Sequence, residues 1–177
     1  MKRTGDGVGV KAYRVPVAGP GALWMMPKPR SDHLAEDLAQ LRAMGVDQVV
    51  SLLEPMEAER LGLSGEPAAC EAVGLGYLSF PIADFGVPEE VAFRDLVEDL
   101  RGQLAEGGWV LVHCCGGIGR SGLLVCCLVA DKGASAEEVM AQVSAVRGEE
   151  VPETDAQRAM IKRVLGGMND SKKERHS

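Results

Sequence analysis

Cys114 and Arg120 bracket the run Cys114-Cys115-Gly116-Gly117-Ile118-Gly119-Arg120-Ser121-Gly122, and their types and spacing suit the handling of a tetrahedral oxyanion. Gly116, Gly117 and Gly119 let backbone amides turn toward one centre, a nest that binds phosphate through N–H groups. Cys114 stands at the entry to that nest, and Arg120 falls on the first turn of the helix implied by the apolar run LLVCCLVA that follows. Amides, helix dipole and a fixed cation together favour a cysteine thiolate. The planar guanidinium of Arg120 can grip two phosphate oxygens in line with the sulfur, which a lysine ammonium cannot do. The chemistry this suits is displacement at phosphorus by sulfur. Bare Cys-x5-Arg spacing says little; the added His113, the loop glycines, the Ser121 hydroxyl and a helix directly after make it specific. Cys126 and Cys127, inside the apolar helix, read as core filling.

An ester oxygen leaves slowly unless an acid protonates it. Asp84, in Phe80-Pro81-Ile82-Ala83-Asp84-Phe85-Gly86-Val87-Pro88, stands just past the carboxyl end of an apolar run and is the candidate acid. Its plainer reading is a turn aspartate capping the helix that starts near Pro88.

These groups need a frame. VDQVVSLL at 46–53, GYLSFPI at 76–82 and WVLVH at 109–113 are short apolar runs bounded by Gly or Pro, and they read as buried strands. Ser31-Asp32 can cap a helix through Met44, with Leu34, Leu38 and Leu41 as its stripe and Gly45 as its stop. A second helix is expected from Pro88 to Ala105, with Val91, Leu96, Leu100 and Leu104 facing inward, and further helices over 121–131, 135–146 and 153–165. Residues 12–26 suit a hairpin at one edge. The alternation implies an α/β fold, a mainly parallel central sheet of about four to five strands with helices on both faces. In such sheets ligands sit at the carboxyl ends of strands, where the Cys114 run and Asp84 both fall.

The segment VHCCGGIGRSG resembles the active-site signature of the cysteine-dependent protein tyrosine and dual-specificity phosphatases, His-Cys-x5-Arg-Ser/Thr. By that resemblance Cys114 is the nucleophile and His113 buttresses it from the strand. The amides of Cys115, Gly116, Gly117, Ile118 and Gly119 bind phosphate with Arg120, and the Ser121 hydroxyl assists departure of sulfur from the phosphoenzyme. The family's acid is an aspartate on a mobile loop, and FPIADFGVP is similar to the Pro-Ile-x-Asp form of its smaller members. No metal and no cofactor is implied. Arg147–Gln157 (RGEEVPETDAQ) resembles the stretch of kinase-associated and Cdc14-like phosphatases that brings a glutamine near the site. Gln157 would then orient the hydrolytic water; Thr154 and Asp155 read equally well as a plain helix cap. The resemblance spans about residues 20 to 165. Ile82-Ala83 stands where the classical tyrosine phosphatases carry a tryptophan before the acid, which points to the dual-specificity side. Cys115 beside Cys114 is uncommon in the family and raises the question of redox behaviour.

The chain has 177 residues, a net charge of −7, 46% hydrophobic and 25% charged residues, the composition of one acidic globular unit. An acidic balance excludes the basic footprint that nucleic acid or an anionic membrane requires. Met1–Val10 lacks the apolar run of a secretory signal, so a cytoplasmic location is expected. Five cysteines, two pairs of them sequence neighbours, suit reduced thiols. No Cys-x2-Cys occurs, and His33, His113 and His176 are too scattered for a zinc site. The expected organisation is a flexible tail over 1–10, one phosphatase domain over 11–167 and a flexible tail over 168–177, and a monomer is expected. Arg120 is the loop's only cation, which suits a phosphorylated protein substrate bearing one phosphate. Two other readings stay open: a thiol-dependent arsenate reductase or sulfurtransferase-like enzyme, with Cys115 or Cys70 resolving an intermediate, and a non-catalytic phosphoprotein-binding module.

Overall fold

The computed structural model describes residues 9–131 and 133–173. Most of the expected N-terminal tail, and residues 174–177 of the C-terminal one, lie outside the described residues. Five strands, β1 (Tyr13–Val15), β2 (Ala22–Met26), β3 (Gln48–Ser51), β4 (Gly76–Ser79) and β5 (Trp109–His113), form one sheet in the order β1-β2-β5-β3-β4. The β1–β2 hairpin is antiparallel and every other pairing is parallel, so the carboxyl ends of β2, β5, β3 and β4 share one edge. β2 is buried along its whole length and β5 over Val110–His113, which is why both read as unbroken apolar runs.

Helices α1 (Leu34–Ala43), α2 (Pro55–Arg60), α3 (Glu66–Ala72), α4 (Glu90–Ala105), α5 (Gly119–Val129), α6 (Ala136–Arg147) and α7 (Asp155–Lys173) complete the fold. On one side of the sheet Leu38 and Leu41 of α1 and Cys70 of α3 pack against Trp24, Val49 and Leu111. On the other, α4 to α7 bury Phe93, Leu100, Leu124, Val143 and Ile161 against Leu23, Val50 and Val112. The expected two-faced α/β architecture is the observed one.

Several boundaries differ. Ser31 and Asp32 make no cap; they lie in a 3-10 turn, Ser31–His33, ahead of α1. Helix α4 starts at Glu90, and the Glu89 carboxylate accepts the Val91 and Ala92 amides. That start rotates the stripe to Phe93, Leu96, Val97, Leu100 and Leu104, leaving Val91 66% exposed rather than inward. Helices α2 and α3, of 6 and 7 residues, are too short to show a period and were not anticipated. Helix α7 continues to Lys173, so residues 168–173 are helical where a tail was expected from 168. Gly166 and Gly167 weaken a helix but do not end it, and Arg94 of α4 braces this turn by donating to the carbonyls of Arg163 (2.8 Å) and Val164 (3.3 Å).

Candidate active site

Strand β5 ends at His113, and the chain turns at once into the loop Cys114–Ile118 before α5 begins at Gly119. Gly117 sits at φ +68°, and a Cβ there would lie 2.5 Å from the Met26 carbonyl carbon and the Pro27 nitrogen. Only glycine fits so close to the end of β2. The loop's carbonyls are held outward: Lys28 N–H donates to Cys115 O (3.0 Å), and the Arg147 fork donates to Gly117 O (3.0 Å) and Gly116 O (3.1 Å). Fixing the carbonyls on the outside leaves the amides for the inside. One of them, Gly117 N–H, donates to Cys114 Sγ at 3.3 Å.

Arg120, on the first turn of α5, is 1% exposed. Its Nη1 donates to Glu57 Oε2 (2.7 Å) and to the Ile82 carbonyl (2.9 Å); its Nη2 donates to Glu57 Oε1 (2.8 Å) and lies 3.3 Å from Asp84 Oδ1. Burial works against the guanidinium charge, but the hydrogen bonds donated to Glu57 and the charges of Cys114, Glu57 and Asp84 outweigh it and raise its pKa. Hydrogen bonding to Arg120 in turn holds the Glu57 carboxyl below the usual glutamate range, against the opposing effect of burial. The two-pronged grip fixes the plane of the guanidinium. Glu57 was not singled out from the sequence. Its signal was the start-of-helix pattern Glu54-Pro55-Met56-Glu57, directly past the carboxyl end of β3 and therefore on the edge where the site lies.

Asp84 is half exposed, on a loop docked by main-chain bonds: Phe80 N–H to Ser51 O (2.9 Å), Ile82 N–H to Leu52 O (3.1 Å) and Gly86 N–H to Ala83 O (2.8 Å). Asp84 does not cap α4; its Oδ1 accepts its neighbour's amide, Phe85 N–H, at 3.0 Å. Phe85 takes φ +60°, strained for an aromatic residue, and is 61% exposed. Gln157 is fully buried and ties this loop to the start of α7. Its Oε1 accepts the amides of Glu153 (3.1 Å) and Thr154 (3.2 Å), and its Nε2 donates to Gly86 O (3.2 Å). A Cβ on Gly119 would lie 3.2 Å from the Gln157 amide, so the glutamine packs against the loop-to-helix junction. Thr154 also caps, since its Oγ1 accepts Gln157 N–H (3.1 Å).

Ser121 Oγ is buried and has no hydrogen-bond partner among the described residues. His113 is fully buried, Nδ1 lying 3.2 Å from Cys114 O and Nε2 2.6 Å from Glu66 Oε1. Cys115 is half-buried, and burial followed by the charges of Glu57, Cys114 and Asp84 pushes its thiol up. Burial likewise pushes Cys70 and Cys126 up to about 12. Arg30 is bound to Asp37 by its backbone and guanidinium, at 2.6 to 3.2 Å, and so is committed to α1. Among the described residues no three His, Cys, Asp or Glu side chains are grouped to hold a metal ion. No described helix is long and apolar enough to cross a membrane.

Residues 15–168 match the family described as the Swiss Army Knife protein, DSP-PTPase phosphatase domain. The chain belongs to that family. Among curated relatives of this phosphatase domain, the protein tyrosine phosphatase domain-containing protein 1 of Mus musculus is 30% identical over 112 residues, 58% of this chain and 15% of the relative. Cyclin-dependent kinase inhibitor 3 of Homo sapiens is 26% identical over 97 residues, 55% of this chain and 46% of the relative. The matches therefore span less than half the length of either relative. Among solved structures, kinase associated phosphatase with its catalytic cysteine changed to serine shares the fold at TM-score 0.83 and 20% identity, over 92% of this chain and 98% of that one. Tk-PTP in its active form aligns at TM-score 0.67 and 29% identity, over 87% and 97% of the two chains.

Proposed function

We propose that this phosphatase domain hydrolyses phosphate monoesters of phosphoproteins through a phosphocysteine on Cys114. One observation carries the reading: Arg120 lies 3.3 Å from the Asp84 carboxylate on one side, while the loop amide of Gly117 reaches the Cys114 sulfur on the other. Arg120 also feels the charges of both Cys114 and Asp84, which supports a nucleophile and an acid acting on one anion held by that guanidinium. In the first step the Cys114 thiolate forms a bond to phosphorus as the ester P–O bond breaks, and protonated Asp84 gives its proton to the departing oxygen. In the second, Asp84 takes a proton from water, the water oxygen bonds to phosphorus and the sulfur leaves. The buried Ser121 hydroxyl, without a partner among the described residues, donates to that sulfur as it regains its charge, and Gln157, packed against the start of α5, orients the water. Inward amides and the Arg120 charge stabilise the equatorial charge of both transition states.

The exposed Phe85, next in sequence to Asp84, offers an arriving phosphotyrosine an aromatic contact that phosphoserine and phosphothreonine lack, which favours phosphotyrosine among the three. The thiol-redox reading needs a resolving thiolate, and Cys115 and Cys70 are both pushed toward the neutral thiol. The binding-module reading needs a lesion in the site, and Cys114, Arg120 and Asp84 are all present.

The test is a panel of aryl phosphate and phosphopeptides. Cys114→Ser is expected to abolish turnover, and Asp84→Asn to slow it by about 10²–10⁴, the usual worth of general acid catalysis. Full activity in either variant overturns the assignment of that residue.

A further inference from the structure

We infer that Glu66 is a positioning residue for the nucleophile, acting through His113. This rests on the phosphatase reading only in calling Cys114 the nucleophile. Glu66 opens α3, on the face of the sheet opposite α4 to α7, and is 1% exposed; His113 ends β5 and is fully buried. Their atoms Oε1 and Nε2 are 2.6 Å apart, while the other ring nitrogen lies 3.2 Å from the carbonyl of Cys114. Both imidazole nitrogens therefore face oxygen. A ring with a proton on Nδ1 only would turn the bare Nε2 lone pair toward the carboxylate, which short contact forbids. The arrangement is satisfied when Glu66 and His113 hold two protons between them: one on Nδ1, donated to the Cys114 carbonyl, and one shared across the contact with Glu66.

The consequence falls on the loop. Cys114 O belongs to the first peptide after β5, and its direction sets where the chain goes as it enters the anion nest. Its neighbour carbonyls at Cys115, Gly116 and Gly117 are held from outside by Lys28 and Arg147, whereas the Cys114 carbonyl is held from beneath by His113. Main-chain bonds lock the end of the strand itself, Leu52 N–H donating to His113 O at 3.0 Å. The Cys114 carbonyl of the entry peptide is thus held by the ring, and the ring is held by Glu66. Cys70 of α3 and Tyr77 of β4 also feel Glu66, both raised mainly by burial and secondly by its charge. Neither is an alternative donor or acceptor for the ring in the structure.

A buried polar pair could also be mere scaffolding, so the test must read the nucleophile. Glu66→Gln keeps the shape of the side chain and removes its charge. Expected is a fall in kcat for aryl phosphate of about 10–100-fold, the scale on which small misplacements act, with the affinity for tungstate, read by competition, unchanged. Alkylation of Cys114 by iodoacetamide, followed by mass spectrometry, is expected to slow in parallel; that readout needs no turnover and so separates this inference from the phosphatase reading. In the wild type the short contact should give a far-downfield His113 ring-proton resonance, lost in the variant. In a His113→Gln background, Glu66→Gln should have no further effect on either rate. If Glu66→Gln does not fold, Glu66→Asp, which keeps the charge but withdraws it by one methylene, carries the same readouts with a smaller loss. Wild-type kcat and alkylation in the folded variant, or a loss undiminished when His113 is already replaced, overturns the inference.

Discussion

Arg120 is a cation that the fold has taken out of water and surrounded by oxygen. Glu57 supplies the compensating charge, and breaking such a buried pair leaves the partner uncompensated at a cost of about 3–5 kcal/mol. Glu57→Gln is therefore expected to lower stability on that scale and to loosen the plane in which Arg120 meets phosphate, reducing kcat/KM. Because the Glu57 pKa is lowered in the fold, its contribution is fully present above the ordinary glutamate value, about 4.3, and is lost as pH falls through the lowered one. Urea unfolding of wild type and variant at stepped pH checks this: the gap should be widest near neutrality and close in acid. At the acid loop, Phe85→Ala should raise KM for a phosphotyrosine peptide about threefold to tenfold, the worth of an aromatic contact, and leave that for a phosphoserine peptide nearly unchanged. Steady-state kinetics on matched peptides decides it. Cys114, Arg120 and Asp84 were legible in the sequence because the chemistry demands those residue types within short, glycine-marked segments. Glu57 and Glu66 were not, because they reach Arg120 and His113 across 63 and 47 residues, and nothing local distinguishes a carboxylate that will face a partner from one that will face solvent.

The elements that aim these groups depend on a few close fits. Gly117→Ala would drive a methyl into the backbone of Met26 and Pro27 at a left-handed φ, with no flexible atom to yield. Loss of nearly all turnover is expected, together with a fall in thermal stability of about 1–3 kcal/mol for the strained backbone alone; activity assays and thermal melts on the same preparation check both. Helix α5 is buried along its entire length, so its last carbonyls have no water to meet. Arg101 of α4 meets them instead, donating from Nη1 to Cys127 O (3.1 Å), Leu128 O (3.4 Å) and Ala130 O (3.0 Å). Arg101→Ala should cost about 1–3 kcal/mol, the desolvation penalty of stranded acceptors, while leaving kcat at low temperature near wild type, since the opposite end of α5 carries the chemistry. Strand β5 was readable to the residue, from its apolar run between glycine and the catalytic loop. The start of α4 was not, because Pro88 and Glu89 both suit a helix entrance and only the Glu89 carboxylate on two amides decides between them.

Across the whole molecule, one topological fact does most to make the site. Four parallel strands point their carboxyl ends the same way, so segments far apart in sequence, at 26–28, 54–57, 80–86 and 113–120, meet at one edge of the sheet. The alternation of strands and helices in the sequence implies that edge, but not which of its loops carry the carboxylates.

The outward clamp on the loop carbonyls has a further result. A cradle held open by Lys28 and Arg147 recognises four oxygens around a central atom and nothing of the organic group attached to one of them. Orthophosphate, released at every cycle, fits the same seat as the ester it came from. Turnover should therefore slow as product accumulates, by simple competition and with one inhibition constant for every peptide tried, so that clearance of the spent anion sets the pace along with delivery of fresh ester.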